Sequence, residues 1–300
     1  METRLLRSFL AVVRTGGITT AAAELSFVQS TVTAHVQSLE RLVGVPLFER
    51  LPGGTVPTDA GRRLAGHAAD LLDREDRMLA EFGPEGHRPA GIVRLHAPES
   101  ICAYCLPPVL RRLGRRHPDV RLSLVPATTK AALTAVLDRR ADLALILEPS
   151  VATAGLDVVD LAPQRLSVVA PPDTALPRDR APTVAELAAA GVLLLEDGCG
   201  YSDELAALLA AVDPATSPPR YGSVETVKRC VEAGLGVALL PALTVEAEAE
   251  QGRLVELTPP PMADRRLWLV RQTNRWASPA VEAVRTLLVA ECGIDETAPS

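Results

Sequence analysis

The sequence predicts an α + α/β protein: a small helical N-terminal domain, one long linker helix, and a larger α/β domain of two lobes around a cleft. Three observations carry this. In the first sixty residues, apolar side chains recur at helical spacing in short runs broken by Gly and Pro. A near-heptad apolar stripe follows between Thr58 and Phe82. From Ile92 onward, strand-like and helix-like segments alternate in two series separated by a proline-rich stretch. The chain has 300 residues, 47% of them hydrophobic, enough for two or three domains with cores of their own.

Taken in order, Leu5, Phe9, Val12 and Val13 mark a first helix that stops at Gly16-Gly17. Thr19 opens a second short helix through Ala21, Ala22 and Leu25. After a break at Ser26–Val28, a third helix runs from Gln29 to Leu42 with Val32, Val36 and Leu39 on one face. At 100° per residue, Ser30, Thr33, Ala34, Gln37 and Arg41 then point the other way. Gly44-Val45-Pro46 ends it. Leu47 and Phe48 pack back on the helices, and Leu51–Pro57 reads as a tight hairpin.

Thr58 suits the cap of a long helix whose stripe is Leu64, Ala68, Leu71, Leu72, Met78, Leu79 and Phe82, with Glu75 interrupting one register. Such a stripe needs a partner, and a second copy of the helix is favoured over packing on the same chain. Gly83–Gly91 is the clearest linker. The domains are therefore expected at 1–61, 62–90 and 91–300. Beyond the linker the expected elements are strand Ile92–Ala97, helix Ile101–His117, strand Val120–Pro126, helix Ala131–Arg139 and the continuous apolar strand Asp142–Leu147. Strand Leu166–Ala170 begins the second series. Helix Val184–Ala190, strand Val192–Glu196, helices Asp203–Val212 and Glu225–Ala233, and strand Val237–Leu240 continue it. Strand Leu267–Val270 and helix Ser278–Cys292 close the chain.

Composition excludes several classes. The charge-free apolar stretch Ala233–Val245 is 13 residues long, short of the roughly 20 that span a bilayer. The N-terminus leads into an amphipathic pattern and not a signal peptide, so the chain is expected in the cytoplasm, off the membrane. Neither Lys130 nor Lys228 sits in a phosphate-binding GxxxxGK[ST] loop, and neither HExxH nor GxSxG occurs. Glu99 and Glu196 are carboxylates that suit proton transfer, but no base–nucleophile constellation accompanies them, so no enzyme activity is expected. No cofactor and no metal site is expected. Net charge is −6, yet through Gly66 seven arginines face five acidic residues, leaving that segment at +2. An acidic protein can hold DNA through a locally basic module.

The strongest physical signal is the helix–break–helix from Thr19 to Leu39. Small residues in the first helix let the second cross closely, and the second presents Gln29, Ser30, Thr31, Thr33 and Gln37, side chains suited to base edges and phosphates in a major groove. Several motifs add to it. They are Leu5…Phe9…Val12…Gly16, Thr19-x-Ala21-Ala22-x-x-Leu25, Gln29-Ser30-x-Val32-Thr33-x-x-Val36-x-x-Leu39-Glu40, Leu47-Phe48-x-Arg50 and Thr58-x-Ala60-Gly61. In this order they resemble the winged helix-turn-helix of LysR-type transcriptional regulators. The likeness continues through Leu106-Pro107…His117-Pro118-Asp119-Val120, Arg140-Ala141-Asp142-Leu143-Ala144 and Gly234-Leu235-Gly236-Val237…Leu240-Pro241.

The resemblance implies sequence-specific binding of double-stranded DNA by residues 1–61, with Gln29, Ser30 and Thr33 at recognition positions and Arg50 and Thr58 beside the wing. It implies a homodimer through the linker helix, pairing into a homotetramer, and a periplasmic-binding-protein-like domain that holds a small-molecule effector between its lobes. Three departures matter. Val28 stands where many members carry a capping Ser, Gly17 replaces another Ser, and Gly53 stands where the wing often carries Arg. One fewer phosphate contact predicts a shallower salt dependence. The weak arginine content of the wing leaves an alternative, a cytoplasmic small-solute-binding module without DNA-regulatory activity.

Effector residues are expected at loops after strand ends and at helix starts. Ser100, Thr128, Thr129, Tyr201, Ser202, Ser223 and Val224 occupy such places. Hydroxyls of Ser100, Thr129, Ser202 and Ser223 suit a carboxylate-bearing effector; each also suits a plain N-cap. Cys102-Ala103-Tyr104-Cys105 sits at a helix start that favours a lowered thiol pKa, but a lone CxxC is weak support for a redox or zinc role, and packing is the favoured reading. Cys230 and Cys292 fall on apolar helix faces.

Overall fold

The computed structural model describes residues 2–51, 54–81, 88–151, 154–215 and 217–293. Phe82, the linker glycines through Gly86, and the hairpin tip Pro52-Gly53 lie outside them. The chain divides into two compact units, Met1–His87 with Asn274–Ser278, and Arg88–Thr273 with Pro279–Ser300.

The first unit contains α1 (Thr3–Thr15), α2 (Ile18–Glu24), α3 (Gln29–Val43), the antiparallel pair β1 (Phe48–Leu51) and β2 (Gly54–Pro57), and α4 (Asp59–Glu81). Its core is built from one stripe per helix: Leu6, Phe9 and Val12, then Ala21 and Ala22, then Val32, Val36 and Leu39, all 5% exposed or less. Each large apolar side chain removed from water in this way contributes roughly 2 kcal/mol. Leu5 and Val13 are only partly buried, so the face of α1 turned to the core runs through Leu6. Left-handed glycines end two of the helices, Gly16 at φ 68° and Gly44 at φ 77°, each returning its N–H to a carbonyl of the last turn. α2 and α3 begin at Gly17 and Val28 without a side-chain cap.

The stripe on α4 divides. Ala68 and Leu72 are buried on the unit's own core beside Leu64, whereas Leu71, Met78 and Leu79 stay 46–59% exposed. Glu75, the residue out of register, accepts a hydrogen bond from the Thr3 hydroxyl at 2.8 Å and pairs with Arg7 at 3.0 Å, so it fastens α4 to α1.

The second unit runs β3 (Gly91–Ala97), α5 (Glu99–Tyr104), α6 (Leu106–Arg116), β4 (Val120–Pro126), α7 (Thr129–Leu137), β5 (Leu143–Glu148) and β6 (Leu156–Gln164). It then crosses to β7 (Leu166–Ala170), α8 (Val184–Ala190), β8 (Val192–Leu195), α9 (Gly200–Val212), β9 (Arg220–Tyr221), α10 (Val224–Glu232), β10 (Val237–Pro241), α11 (Glu246–Glu250) and β11 (Val255–Leu257). It returns through β12 (Arg265–Gln272) and ends in α12 (Pro279–Cys292). The strands form two five-stranded sheets, β4-β3-β5-β12-β6 and β11-β7-β10-β8-β9, one per lobe.

β5 accounts for the continuous apolar run. Leu143 and Leu145 face one core with α5, α6 and α12, while Ala144 and Ile146 face another with α7, so both sides of the strand are covered. It pairs parallel with β3 and antiparallel with β12. Likewise β7, fully buried, pairs antiparallel with both neighbours, so the second lobe is a mixed sheet and not a purely parallel one. The helix expected over Ile101–His117 is two helices broken at Cys105, because Pro107 and Pro108 lack the N–H groups that would continue the ladder; prolines are at home in the first turn of α6. β6, β11 and α11 carry no strong apolar pattern and are additions to the expected order.

One glycine of the signature has a steric reason. Gly236, at φ 151°, lies against the carbonyl of Gly191 where a Cβ has no room, and the next residue, Val237, donates its N–H to that carbonyl at 2.8 Å. Gly234-x-Gly236 is thus the entry to a parallel strand. Among the described residues no helix is long and apolar enough to cross a membrane.

Candidate nucleic-acid interface and inter-lobe cleft

With Val32, Val36 and Leu39 locked into the core, α3 has one free face. Gln29, Ser30, Ala34, Gln37 and Arg41 are exposed on it, and Thr31 and Thr33 are partly exposed at its margin. The Thr33 hydroxyl donates to the Gln29 carbonyl at 2.9 Å, a bond back along the helix. α3 is held to α1 by the Ser8 hydroxyl, fully buried and 2.7 Å from His35 Nδ1, and the Phe27 ring stands edge-on to the same imidazole. Ser8 and His35 position this face, and periodicity alone gives no signal for them.

At the wing, β1 and β2 pair from Phe48↔Pro57 to Leu51↔Gly54, and Thr55 donates its N–H to the Gly16 carbonyl at 2.8 Å. The side chain of Arg50 is outside the described residues. Thr58 is occupied internally: its hydroxyl donates to the Pro46 carbonyl at 2.9 Å and accepts the Gly61 N–H at 3.0 Å. That makes it the cap of α4 and leaves it no hydrogen to give a phosphate.

In the second unit, a narrow cleft between the lobes holds about 440 Å3 of space including its mouth. Ser100, Thr128, Thr129, Tyr201 and Val224 all line it, so five of the seven expected effector residues meet there. Ser202 and Ser223 are not among its walls. The Ser202 hydroxyl instead accepts the Leu195 N–H at 2.9 Å, fixing α9 to β8. Ser223 precedes α10 without a side-chain cap. Of the set, Thr128 is the N-cap that bonds by its side chain, accepting from the Ala131 N–H at 3.5 Å. Thr129 instead gives its hydroxyl hydrogen to Glu148 at 2.7 Å.

Carboxylates dominate the charge around the cleft. Glu99 and Glu196 line it from opposite lobes, and Glu99 Oε2 accepts the Val224 N–H at 3.4 Å across the gap. Burial, and behind it the repulsion of Glu225 and Glu196, raises the Glu99 pKa against the opposing pull of the Val224 N–H and Lys228. Beside the cleft, Lys228 of α10 is only 4% exposed. Its ammonium donates to Tyr104 of α5 at 2.8 Å, to Glu225 at 2.8 Å and to Glu248 at 2.9 Å, which ties the two lobes together. A wider hollow of about 800 Å3 borders the lobe crossovers at Gln164–Ser167 and Glu256–Arg265, away from every expected effector residue.

Cys102, Cys105 and Cys292 lie against the first lobe's core, and Cys199 and Cys230 against the second's. Burial pushes the Cys102 and Cys105 thiols up to about 11, with Glu99 adding to the effect on Cys102. The lowering expected of a helix start is therefore reversed by desolvation. Among the described residues no group of three or more His, Cys, Asp and Glu is arranged to hold a metal ion.

Comparisons with known proteins agree with this architecture. The family model of the bacterial regulatory helix-turn-helix protein, lysR family, matches residues 3–62, and that of the LysR substrate binding domain matches residues 86–293. The chain is 31% identical over 260 residues to the uncharacterized HTH-type transcriptional regulator YwqM of Bacillus subtilis (strain 168), covering 86% of this chain and 88% of the relative. Among solved structures, a full-length OxyR variant from Pseudomonas aeruginosa superposes with a TM-score of 0.76 at 20% identity, covering 99% of both chains. An H2O2-bound OxyR mutant from Corynebacterium glutamicum gives 0.58 at 26% identity, over 97% of this chain and 92% of that one.

Proposed function

Since the chain belongs to the LysR family of transcriptional regulators, with a DNA-binding helix-turn-helix and an effector-binding domain, we propose that it reads its operator through Gln29, Ser30 and Gln37, flanked by Thr31, Thr33 and Arg50. The observation that carries this reading is the division of α3 into a core-locked face and an exposed polar one. Amide side chains there have the donor–acceptor pairs that match an adenine edge. The test is binding of the purified protein to the DNA upstream of its own gene across a salt titration, with Gln29→Ala and Gln37→Ala as controls. Tight, salt-sensitive binding lost in the controls supports the reading; equal affinity for unrelated DNA counts against it.

The exposed Leu71, Met78 and Leu79 on α4 support a homodimer through that helix, with dimers pairing into a tetramer on two half-sites. Acting on DNA, the protein works in the cytoplasm. A small effector in the inter-lobe cleft, lined by Ser100, Thr128, Thr129, Tyr201 and Val224, shifts the arrangement of the dimers by binding one arrangement more tightly than the other. Unchanged DNA footprints across a ligand screen would refute this step. Peroxide is not the proposed signal. Burial pushes the Cys199 thiol up to about 12, so the thiolate that would attack a peroxide is scarce at neutral pH.

A further inference from the structure

The cleft's charge is one-sided. A carboxylate faces it from each lobe, Glu99 at the start of α5 and Glu196 at the end of β8, and none of its described lining residues is Arg or Lys. The nearby ammonium of Lys228 is already shared among Tyr104, Glu225 and Glu248.

Two of the donors that would receive an anion are already taken by the chain itself. Glu99 takes the first N–H of α10, that of Val224. Glu148 takes the Thr129 hydroxyl, and its two oxygens lie 2.5 and 2.6 Å from where a Cβ on Gly200, the first residue of α9, would stand. An arriving carboxylate would have to displace these groups and sit against Glu99 and Glu196. Ser100 is a separate pointer to a ligand. It is 2% exposed, it lines the cleft, and its hydroxyl has no hydrogen-bond partner among the described residues. Its oxygen is open to the cleft and can accept a hydrogen bond from a ligand that enters there.

We propose that the inter-lobe cleft takes a small organic cation with several N–H donors, a primary ammonium or guanidinium head, held between the carboxylates of Glu99 and Glu196 with the Ser100 hydroxyl as a further acceptor. This rests on the reading of the cleft as the effector site. Charge-assisted hydrogen bonds from one N–H cation to two carboxylates on opposite lobes draw the lobes together, which is the differential contact an effector needs. A metal ion fits less well, because the described residues offer no three-ligand group.

The test is calorimetric titration of the full-length protein at pH 7.5 and constant ionic strength. The probes are propylammonium and agmatine, against propionate and succinate. Saturable binding of either cation, at least tenfold tighter than either anion and weakened at least tenfold in both Glu99→Gln and Glu196→Gln, is the expected result. Tighter binding of an anion, no binding by any probe, or cation binding that both Gln variants leave unchanged overturns the proposal. Glu196→Trp, at a half-exposed position, blocks the cleft without entering either core. If an anion binds the parent and is lost in Glu196→Trp, the ligand class is wrong and the effector cleft stands; if it binds Glu196→Trp as well, the cleft reading fails too.

Discussion

Gly61 lies against the carbonyl of Leu47 so closely that a Cβ on the glycine has no room, and the same carbonyl accepts the Thr58 N–H at 3.0 Å. The start of α4 is thereby pressed onto the strand that leads into the wing. Gly61→Ala must push that backbone aside, and a loss of about 3 kcal/mol is expected in urea unfolding. Gly66, in the same helix, has nothing within 4 Å of its Cβ position, so Gly66→Ala should instead gain up to about 1 kcal/mol. Equal effects at the two sites would contradict the steric account.

Thr58 separates capping from DNA contact. Its hydroxyl is committed to Pro46 and Gly61, so Thr58→Ala should cost about 1 kcal/mol of stability and leave operator affinity within twofold at a temperature where the variant is folded. Gln29→Ala should do the reverse, leaving stability unchanged and weakening operator binding by roughly tenfold. Fluorescence anisotropy and thermal unfolding on the same preparations decide it.

What the sequence made legible, and what it hid, follows from how local each feature is. The stripe of α3, the two-faced run of β5 and the stop at Gly16 are set by residues within one element, and periodicity finds them. β6 is an edge strand, mostly half-exposed or exposed, so it lacks the apolar signal of a buried strand. In the cleft, hydroxyls at helix starts were visible, but their partners were not. That Thr129 is spent on Glu148, and that Glu99 crosses to Val224, depends on residues 19 and 125 positions away, which only the fold brings together.

Glu99 gives a pH dependence of unusual sign for a carboxyl. Burial and then the neighbouring carboxylates of Glu225 and Glu196 raise its pKa, outweighing the Val224 N–H and Lys228, so the folded state holds the proton more tightly than the unfolded chain. The resulting penalty is absent below the unfolded value near 4.5 and complete above the folded one. Glu99→Gln keeps an acceptor for Val224 and removes the charge. Its melting temperature should exceed the parent's at pH 7.5 and match it near pH 4; a lower value at both would mean that the carboxylate is stabilising.

Lys228 works in the opposite sense. Burial disfavours its charge, but hydrogen bonds to Glu225, Tyr104 and Glu248 outweigh this and raise its pKa. Glu248, 9% exposed, is held below its ordinary value by the same contact against its own burial. Lys228→Met leaves that carboxylate with only the longer contact to Arg253 at 3.5 Å, and a loss of about 2 kcal/mol is expected at pH 7. Adding Glu248→Leu should recover part of it. Since the stabilisation of Glu248 is present above its unfolded pKa and lost as pH falls through its folded value, the defect of Lys228→Met should shrink in acid. A defect independent of pH would assign the loss to packing.

The thiols make the sharpest contrast with what the CxxC spacing suggests. Cys102 and Cys105 are separated by one helical turn and both face an apolar core, and burial holds them at about 11. At pH 7 the thiolate fraction is then on the order of 10⁻⁴, about three-hundredfold below that of a free cysteine at about 8.5. Alkylation of the native protein by iodoacetamide should be correspondingly slow at both sites, with rates that keep rising above pH 9. The double substitution Cys102→Ser, Cys105→Ser should leave operator binding unchanged in oxidising and reducing buffer alike. Rapid labelling at pH 7, or a redox-dependent footprint abolished by the double substitution, would return these cysteines to a sensing role.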